Sequence, residues 1–286
     1  MGAIASHSVR KLAMEKGIHI DALAARIGRE TIGREDILGG SVQAPGADTQ
    51  FWDVDHSDYG AVRTEPVSRM AKLAAANLTA AAQIIPSVTH HDSADVSRIE
   101  ALRKALKAEE KRVTALAFHV AVLARCLKDF PRFNASLSPD GATLILKEYV
   151  HIGVAVDTAQ GLVVPVIRGA DRLSVGEVSD ALSDLAARAR ARRIRPEEMG
   201  GASMTVSSLG GIGGEGFTPI VNPPEVAILG ITRTEIRPVW NGSVFRPVPM
   251  VPLDLTYDHR VINGADAARF LTRYRELIAD PDKLLV

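Results

Sequence analysis

Residues 257–264 read Tyr257-Asp258-His259-Arg260-Val261-Ile262-Asn263-Gly264, and they stand where an apolar segment broken by prolines, residues 248–255, gives way to a helical pattern over residues 265–279. A strand-like run that turns and restarts as a helix constrains the local architecture tightly. The turn also places an imidazole and a carboxamide four residues apart. A neutral histidine held by its neighbours can take a proton from a thiol, and a nearby amide or hydroxyl can hold the group that then attacks. A lone histidine at a strand end is more often an ordinary structural residue, so the reading needs support from the rest of the chain.

Other blocks supply that support. They are Pro131-Arg132-Phe133-Asn134-Ala135-Ser136-Leu137, His151-Ile152-Gly153-Val154-Ala155-Val156-Asp157-Thr158, Gly161-Leu162-Val163-Val164-Pro165-Val166-Ile167-Arg168, and SSLGGIGGEGFTPIVNPPEVAILG over residues 207–230. Together with the histidine turn they resemble the catalytic domain of the dihydrolipoyl acyltransferases, the core components of 2-oxo acid dehydrogenase complexes. The family's signature is HxxxDG, shared with the related chloramphenicol acetyltransferases. The blocks follow the family's order over residues 51–286. The resemblance implies an α+β fold: a chloramphenicol-acetyltransferase-like core with a mixed sheet. Helical and strand patterns that mix without strict alternation point to the same class.

The length of 286 residues accommodates one large domain, alone or with a small one. With 34 basic and 34 acidic residues, nothing marks a nucleic-acid or membrane-surface protein. Cys126 is the single cysteine, so no internal disulfide forms. Its apolar helical setting suits a small core residue and a reducing compartment. No apolar stretch is long enough to span a bilayer and no signal peptide is visible. A bacterial cytoplasm is the favoured location, or a mitochondrial matrix in a eukaryote.

Residues 4–40 form a first unit and residues 41–50 a linker rich in Gly, Pro, Ser and Ala. Ser8 is expected to cap a helix over residues 9–16 that Gly17 ends, with Leu12 facing inward. A second short helix is expected to begin near residues 33–36. Ser8-Val9-Arg10-Lys11-Leu12-Ala13 and Gly33-Arg34-Glu35-Asp36-Ile37 resemble the family's peripheral subunit-binding domain, though Gly28 and Gly33 are the only glycines of its usual loop. That resemblance implies docking of the decarboxylase or the dihydrolipoyl dehydrogenase. Arg10, Lys11, Arg26, Arg29 and Arg34 can supply a basic face, although nearby acidic residues nearly cancel them.

In the larger unit, helices are expected over residues 68–83, 97–110, 114–129, 175–192 and 265–279. Strands are expected over residues 87–92, 143–146, 151–157, 162–167, 202–207, 226–231 and 248–255.

The resemblance gives His259 the role of general base toward a coenzyme A or dihydrolipoamide thiol. An imidazole titrating near pH 6.5 suits thiols that are mostly protonated at pH 7. Asn263 replaces the usual aspartate of the signature, keeping its hydrogen-bonding reach without the charge, and can cap the following helix. Ser207 matches the family's oxyanion serine. Ser208 competes for that role, and alternation along a strand lets one of the two face the channel. The resemblance places Asp157 near the channel, ordering coenzyme A and the serine, while an ordinary turn carboxylate fits equally well. Asn134 is read as architectural.

Gly211, Gly213 and Gly216 fit a dinucleotide fingerprint, but Pro219, Pro223 and Pro224 forbid the helix that such a site requires. Adjacent His90 and His91 point to opposite faces of a strand, so no metal site is assigned. Where relatives carry a lysine for coenzyme A's phosphates this chain has Ala121, and His119 or Arg125 is the expected substitute.

The resemblance implies acetyl transfer between coenzyme A and a dihydrolipoyl group, with the block at residues 207–230 nearest the acetyl-transferring pyruvate type. It implies a site shared between subunits of a homotrimer, with the histidine from one and the serine from its neighbour. Larger cubic or icosahedral cores are built through an apolar tail, for which Leu284, Leu285 and Val286 are suited. No lipoyl-domain segment stands in the sequence, so the lipoyl group is expected on a separate domain or protein. A non-catalytic scaffold subunit, a member acting on another 2-oxo acid or on acetoin, and a small-molecule acyltransferase are the alternatives. The histidine argues against the first and the subunit-binding domain against the last.

Overall fold

The structure, a computed structural model, describes residues 5–27, 31–32, 36–37, 54–159 and 161–284. The chain divides into two units, residues 1–65 and 66–286.

In the first unit, helices α1 (His7–Glu15) and α2 (Ile20–Ile27) pack around Val9, Ala13, Ile20, Leu23, Ile32 and Ile37. Ser6, not Ser8, caps α1: it holds extended backbone and its hydroxyl accepts the Val9 amide at 3.4 Å, while Ser8 lies inside the first turn. Gly17 ends the helix at φ +67°, with the Ile18 amide donating to the Ala13 carbonyl at 2.8 Å. This is the left-handed cap expected of a glycine at that position. Leu12 packs against the cluster, as its spacing predicted. Helix α2 was not anticipated: its inward residues Ile20, Leu23 and Ala24 give only two turns of pattern. The linker, residues 33–35, Gly28, Arg29 and Arg34, and the side chain of Arg26 lie outside the described residues.

The second unit is built on a seven-stranded mixed sheet. Its elements in chain order begin with α3 (Arg69–Ile84), β1 (Ser87–Asp95), α4 (Ser97–Ala108), α5 (Ala115–Asp129), β2 (Ala135–Leu137) and β3 (Leu144–Leu146). Then come β4 (Ile152–Val154), β5 (Val156–Thr158), β6 (Gly161–Val163), β7 (Val166–Ile167) and α6 (Val175–Arg190). The chain continues with β8 (Met204–Ser208), β9 (Ala227–Ile231), β10 (Glu235–Trp240), β11 (Phe245–Asp258) and α7 (Gly264–Ala279). The main sheet runs β7-β4-β8-β9-β11-β1, with β10 beside the first half of β11. Strands β4, β8 and β9 are mutually parallel and the other pairs antiparallel.

One face of the sheet carries the core. Val206, Leu229 and Leu255 form a row across three strands and pack with Phe118 and Leu123 of α5, Leu182 of α6, and Phe270 and Tyr274 of α7. Phe270 stacks on Phe133 with ring centroids 4.2 Å apart, each ring's burial contributing roughly 1.5–3 kcal/mol. Cys126 is fully buried here, as expected of a core residue. The opposite face is polar where β8, β9 and β11 meet: Thr205, Asp254 and Thr256 are nearly inaccessible there.

Several expectations need correction. The single strand predicted over residues 151–157 is two, because β5 leaves the main sheet to pair with β6 in a hairpin. The run at residues 162–167 divides likewise, at Pro165. Strand β11 is far longer than residues 248–255 despite three prolines. Pro247 and Pro249 precede the stretch that pairs with β1, and Pro252 falls between the end of β10 pairing at Met250 and the start of β9 pairing at Leu253. A missing amide costs little at such points. Strands β2 and β10 were not anticipated, being short or interrupted by Pro238.

Candidate active site

His259 sits just beyond β11, on a turn held from four sides. Its own amide donates to the Pro86 carbonyl at 3.1 Å, which ties the turn to the start of β1. The buried Asp258 carboxylate accepts the Arg260 amide at 3.0 Å and grips the Arg260 guanidinium, with Nη2 at 2.6 Å. The Asp258 carbonyl receives the amides of Val261 and Ile262, each at 3.0 Å. Arg132, from the Pro131 block, donates to the Val261 carbonyl at 2.9 Å. The backbone is thus fixed while the imidazole is exposed and, among the described residues, has no hydrogen-bond partner. It lies 5.9 Å from the buried Tyr257 ring. Such an imidazole can meet an incoming thiol.

Asn263 caps α7: its Oδ1 accepts the Asp266 amide at 2.9 Å. It thereby fixes where the helix starts and where the histidine turn ends.

Ser207 and Ser208 end β8, and the register separates them. Ser207 pairs with Gly230 of β9, which pairs with Asp254 of β11, so Ser207 projects from the polar face. Ser208 pairs with Ile231 and lines a cavity of about 660 Å³ on the helical face, together with Leu116, His119 and Thr232. Strand geometry also places Ser207 far from His259 in one chain. Two strand spacings and the four residues from Asp254 to Asp258 put Ser207 roughly 15 Å or more from the start of the histidine turn. A serine and a histidine side chain cannot bridge that distance.

The remaining candidates fall elsewhere. Asp157 lies exposed on the β5–β6 hairpin, without a hydrogen-bond partner for its side chain among the described residues. Asn134 is buried and donates to the carbonyls of Lys147 and Tyr149 at 2.9 and 2.8 Å, tying the Pro131 block to the next segment. His119 cannot stand in for a phosphate-binding lysine. Burial, and secondarily Arg103, pushes it down to about 4, and its Nδ1 is 2.7 Å from the Tyr274 hydroxyl. It is a neutral core residue at pH 7. Arg125 faces Asp129 at 3.6 Å. His91 pairs with Asp254 at 2.6 Å and Asp92 with Arg275 at 3.2 Å, so these side chains are engaged in pairs. Residues 209–226 contain no helix, in keeping with the rejection of a dinucleotide loop.

The sequence reading missed Glu225. It is 5% exposed, accepts the Thr205 hydroxyl at 2.9 Å, and is pushed up to about 7, chiefly by burial. Its Oε2 has no hydrogen-bond partner among the described residues, and it lines a cavity of about 470 Å³ that also reaches Asn222, Asp258 and Arg260. Nothing in the local pattern distinguishes this glutamate from a surface one.

Residues 59–286 match the family described as 2-oxoacid dehydrogenases acyltransferase (catalytic domain). The chain belongs to that family. Among similar proteins of this acyltransferase family is the dihydrolipoyllysine-residue acetyltransferase component of the Pseudomonas aeruginosa pyruvate dehydrogenase complex, 44% identical over 99% of this chain and 55% of the relative. The Cupriavidus necator component is 42% identical with the same coverage. The chain therefore spans about half the length of the curated relatives it matches. Among solved structures, Azotobacter vinelandii dihydrolipoamide acetyltransferase is 46% identical at a TM-score of 0.80, covering 82% of this chain and 98% of that one. A cubic core of the pyruvate dehydrogenase multienzyme complex is 47% identical, also at a TM-score of 0.80 and with the same coverage. The acyltransferase-core fold expected from the sequence is the one observed.

Proposed function

We propose that this chain transfers an acetyl group between coenzyme A and a dihydrolipoyl group, at sites that each combine His259 of one protomer with Ser207 of another. The Azotobacter structure comes from work on a serine, a histidine and an asparagine in that enzyme's catalytic mechanism, spaced by 52 and then 4 residues. Ser207, His259 and Asn263 have the same spacing here, and this coincidence at 46% identity carries the proposal.

In the forward reaction His259 accepts the thiol proton of coenzyme A, and the sulfur attacks the carbonyl carbon of acetyl-dihydrolipoamide. The Ser207 hydroxyl donates to the oxyanion, stabilising it by roughly 3 kcal/mol. Collapse breaks the original carbon–sulfur bond, and the imidazolium returns its proton to the leaving dihydrolipoyl thiolate. Asn263 acts by fixing the turn. The separation of Ser207 from His259 within one chain supports a site shared between protomers, and likeness to a cubic core supports a trimer-based assembly. Residues 4–40 are proposed as a docking unit for a decarboxylase or dihydrolipoyl dehydrogenase, residues 41–50 as the linker, and Asp157 as a group near the coenzyme A channel.

The test is transfer from acetyl-CoA to free dihydrolipoamide by the purified, assembled chain. Wild type is expected to turn over and His259→Ala to lose activity at unchanged oligomer size. An assembled but inactive wild type would leave only a scaffold role.

A further inference from the structure

Glu225 joins the strand that carries Ser207 to the turn that carries His259. Its Oε1 accepts the Thr205 hydroxyl at 2.9 Å, and Thr205 stands two residues before Ser207 on β8, on the same face of the sheet. That hydroxyl has no slack: a Cβ on Gly153 of β4 would lie 2.5 Å from it, so it is wedged between that strand and the carboxyl. One residue on from Glu225, the Val226 carbonyl accepts the Asp258 amide at 2.9 Å, at the root of the histidine turn.

The loop that presents Glu225 is itself closed. The Glu225 amide donates to the Asn222 carbonyl at 3.1 Å, and the Asn222 side chain donates to Oε1 at 3.4 Å. Pro223 and Pro224 between them fix φ at two positions, so the loop has few ways to yield. Oε2 borders the cavity of about 470 Å³. The charged groups around the carboxyl are Lys147, from the segment between β3 and β4, and Asp258 and Arg260, from the histidine turn. Helix α3 and residues 137–139 bring no charged side chain to the cavity. Lys147 donates to the Ala202 carbonyl at 3.1 Å and Arg260 is gripped by Asp258, so both cations are already engaged.

We infer that Glu225 is a positioning residue for acyl transfer, its carboxyl keeping the end of β8 and the histidine turn in their productive places through Thr205 and Val226. The inference rests on the reading of Ser207 and His259 as the reacting groups. While the carboxyl keeps its proton, the link holds. An ionised carboxylate with one oxygen unmet is driven toward water and toward Arg260, which lines the same cavity, and it pulls on both ends of the link. A displacement of about 1 Å at either group lowers the rate by up to about 100-fold. Burial raises this carboxyl to about 7, which puts the change near neutral pH.

The experiment measures kcat for transfer from acetyl-CoA to dihydrolipoamide by the full assembled chain, from about pH 6 to about pH 8.5, for wild type and Glu225→Gln. The glutamine keeps an acceptor for Thr205 and cannot ionise. Taking the ratio of the two rates cancels the titration of His259 and of the substrate thiols. The ratio of Glu225→Gln to wild type is expected to rise about tenfold across that range, with its midpoint near 7. A merely structural role would give a constant ratio. Glu225→Ala and Thr205→Val break the link at its two ends. Each should lower kcat about tenfold with little change in KM, and the double variant should fall no more than about threefold further. Where those variants do not assemble, the glutamine comparison decides alone. Additive losses or a constant ratio, with His259→Ala and Ser207→Ala slowed, would overturn the inference alone. Full activity in His259→Ala or Ser207→Ala would instead remove the reading beneath it, and the inference with it.

Discussion

The Asp258 carboxylate closes around the guanidinium and backbone amide of Arg260, two residues on, and His259 is carried between them. The side chain that holds the turn is buried and the one that is offered to solvent is not. Removing the carboxylate frees Arg260 and unpins the turn without touching the imidazole. Asp258→Ala is therefore expected to lower kcat by roughly 10- to 100-fold, since a misplacement of about 1 Å can cost that much. Steady-state kinetics beside the oligomer size measure this. A wild-type kcat in the variant would mean that the other three ties hold the turn on their own.

The two serines at the end of β8 make a sharper pair of tests. Ser207 faces the polar side and Ser208 the helical side. Ser207→Ala should reduce kcat by roughly 100-fold or more with little change in KM, the pattern for an interaction made mainly in the transition state. Ser208→Ala should stay within about threefold of wild type in kcat, as expected for a side chain away from the reacting carbonyl. Reversed effects would exchange the assignments and place the reaction on the helical face.

A shared site makes a prediction that a single-chain site cannot meet. Co-expressed His259→Ala and Ser207→Ala chains, each nearly inactive alone, should form mixed trimers in which about a quarter of the seams combine an intact histidine with an intact serine. Activity of the co-purified mixture should recover to about that fraction of wild type. Recovery no greater than the sum of the separate variants would place both groups within one protomer, against the strand geometry.

Much of this arrangement was legible in the chain because local chemistry dictates it. The cap at Asn263, the core role of Cys126, the long helices and the absence of a helix after the glycine loop follow from residue type and spacing. What escaped the reading depends on register. No pattern within residues 248–255 shows that Asp254 lies beside Gly230, or that Gly230 is small because Phe217 arrives from another segment. Strand β11 was read too short because its prolines look disruptive until the changeover between its partners is known. His119 depends on packing in the same way: only the tertiary fold reveals that a histidine in a helical run is buried and hydrogen-bonded to Tyr274.

Glu225 supplies a prediction about pH. Burial raises its carboxyl from the ordinary 4.5 to about 7, against the lowering effects of the Thr205 hydrogen bond, the Lys147 charge and Asn222. Between those two values the native protein keeps a proton that the unfolded chain has released, so this group's contribution to stability declines as pH rises through that window. Below pH 4.5 both states are protonated and no penalty remains; above 7 the penalty is complete and amounts to about 3 kcal/mol at most. Glu225→Gln keeps an acceptor for Thr205 and cannot ionise. Its melting temperature relative to wild type should therefore climb from pH 5 to pH 8, by several degrees across the range. Taking the difference between the two proteins cancels groups common to both, including His119, whose own contribution is lost in the opposite direction as pH falls from 6.5 toward 4. Parallel melting curves for wild type and Glu225→Gln over that range would show that the carboxylate is already solvated or paired when ionised.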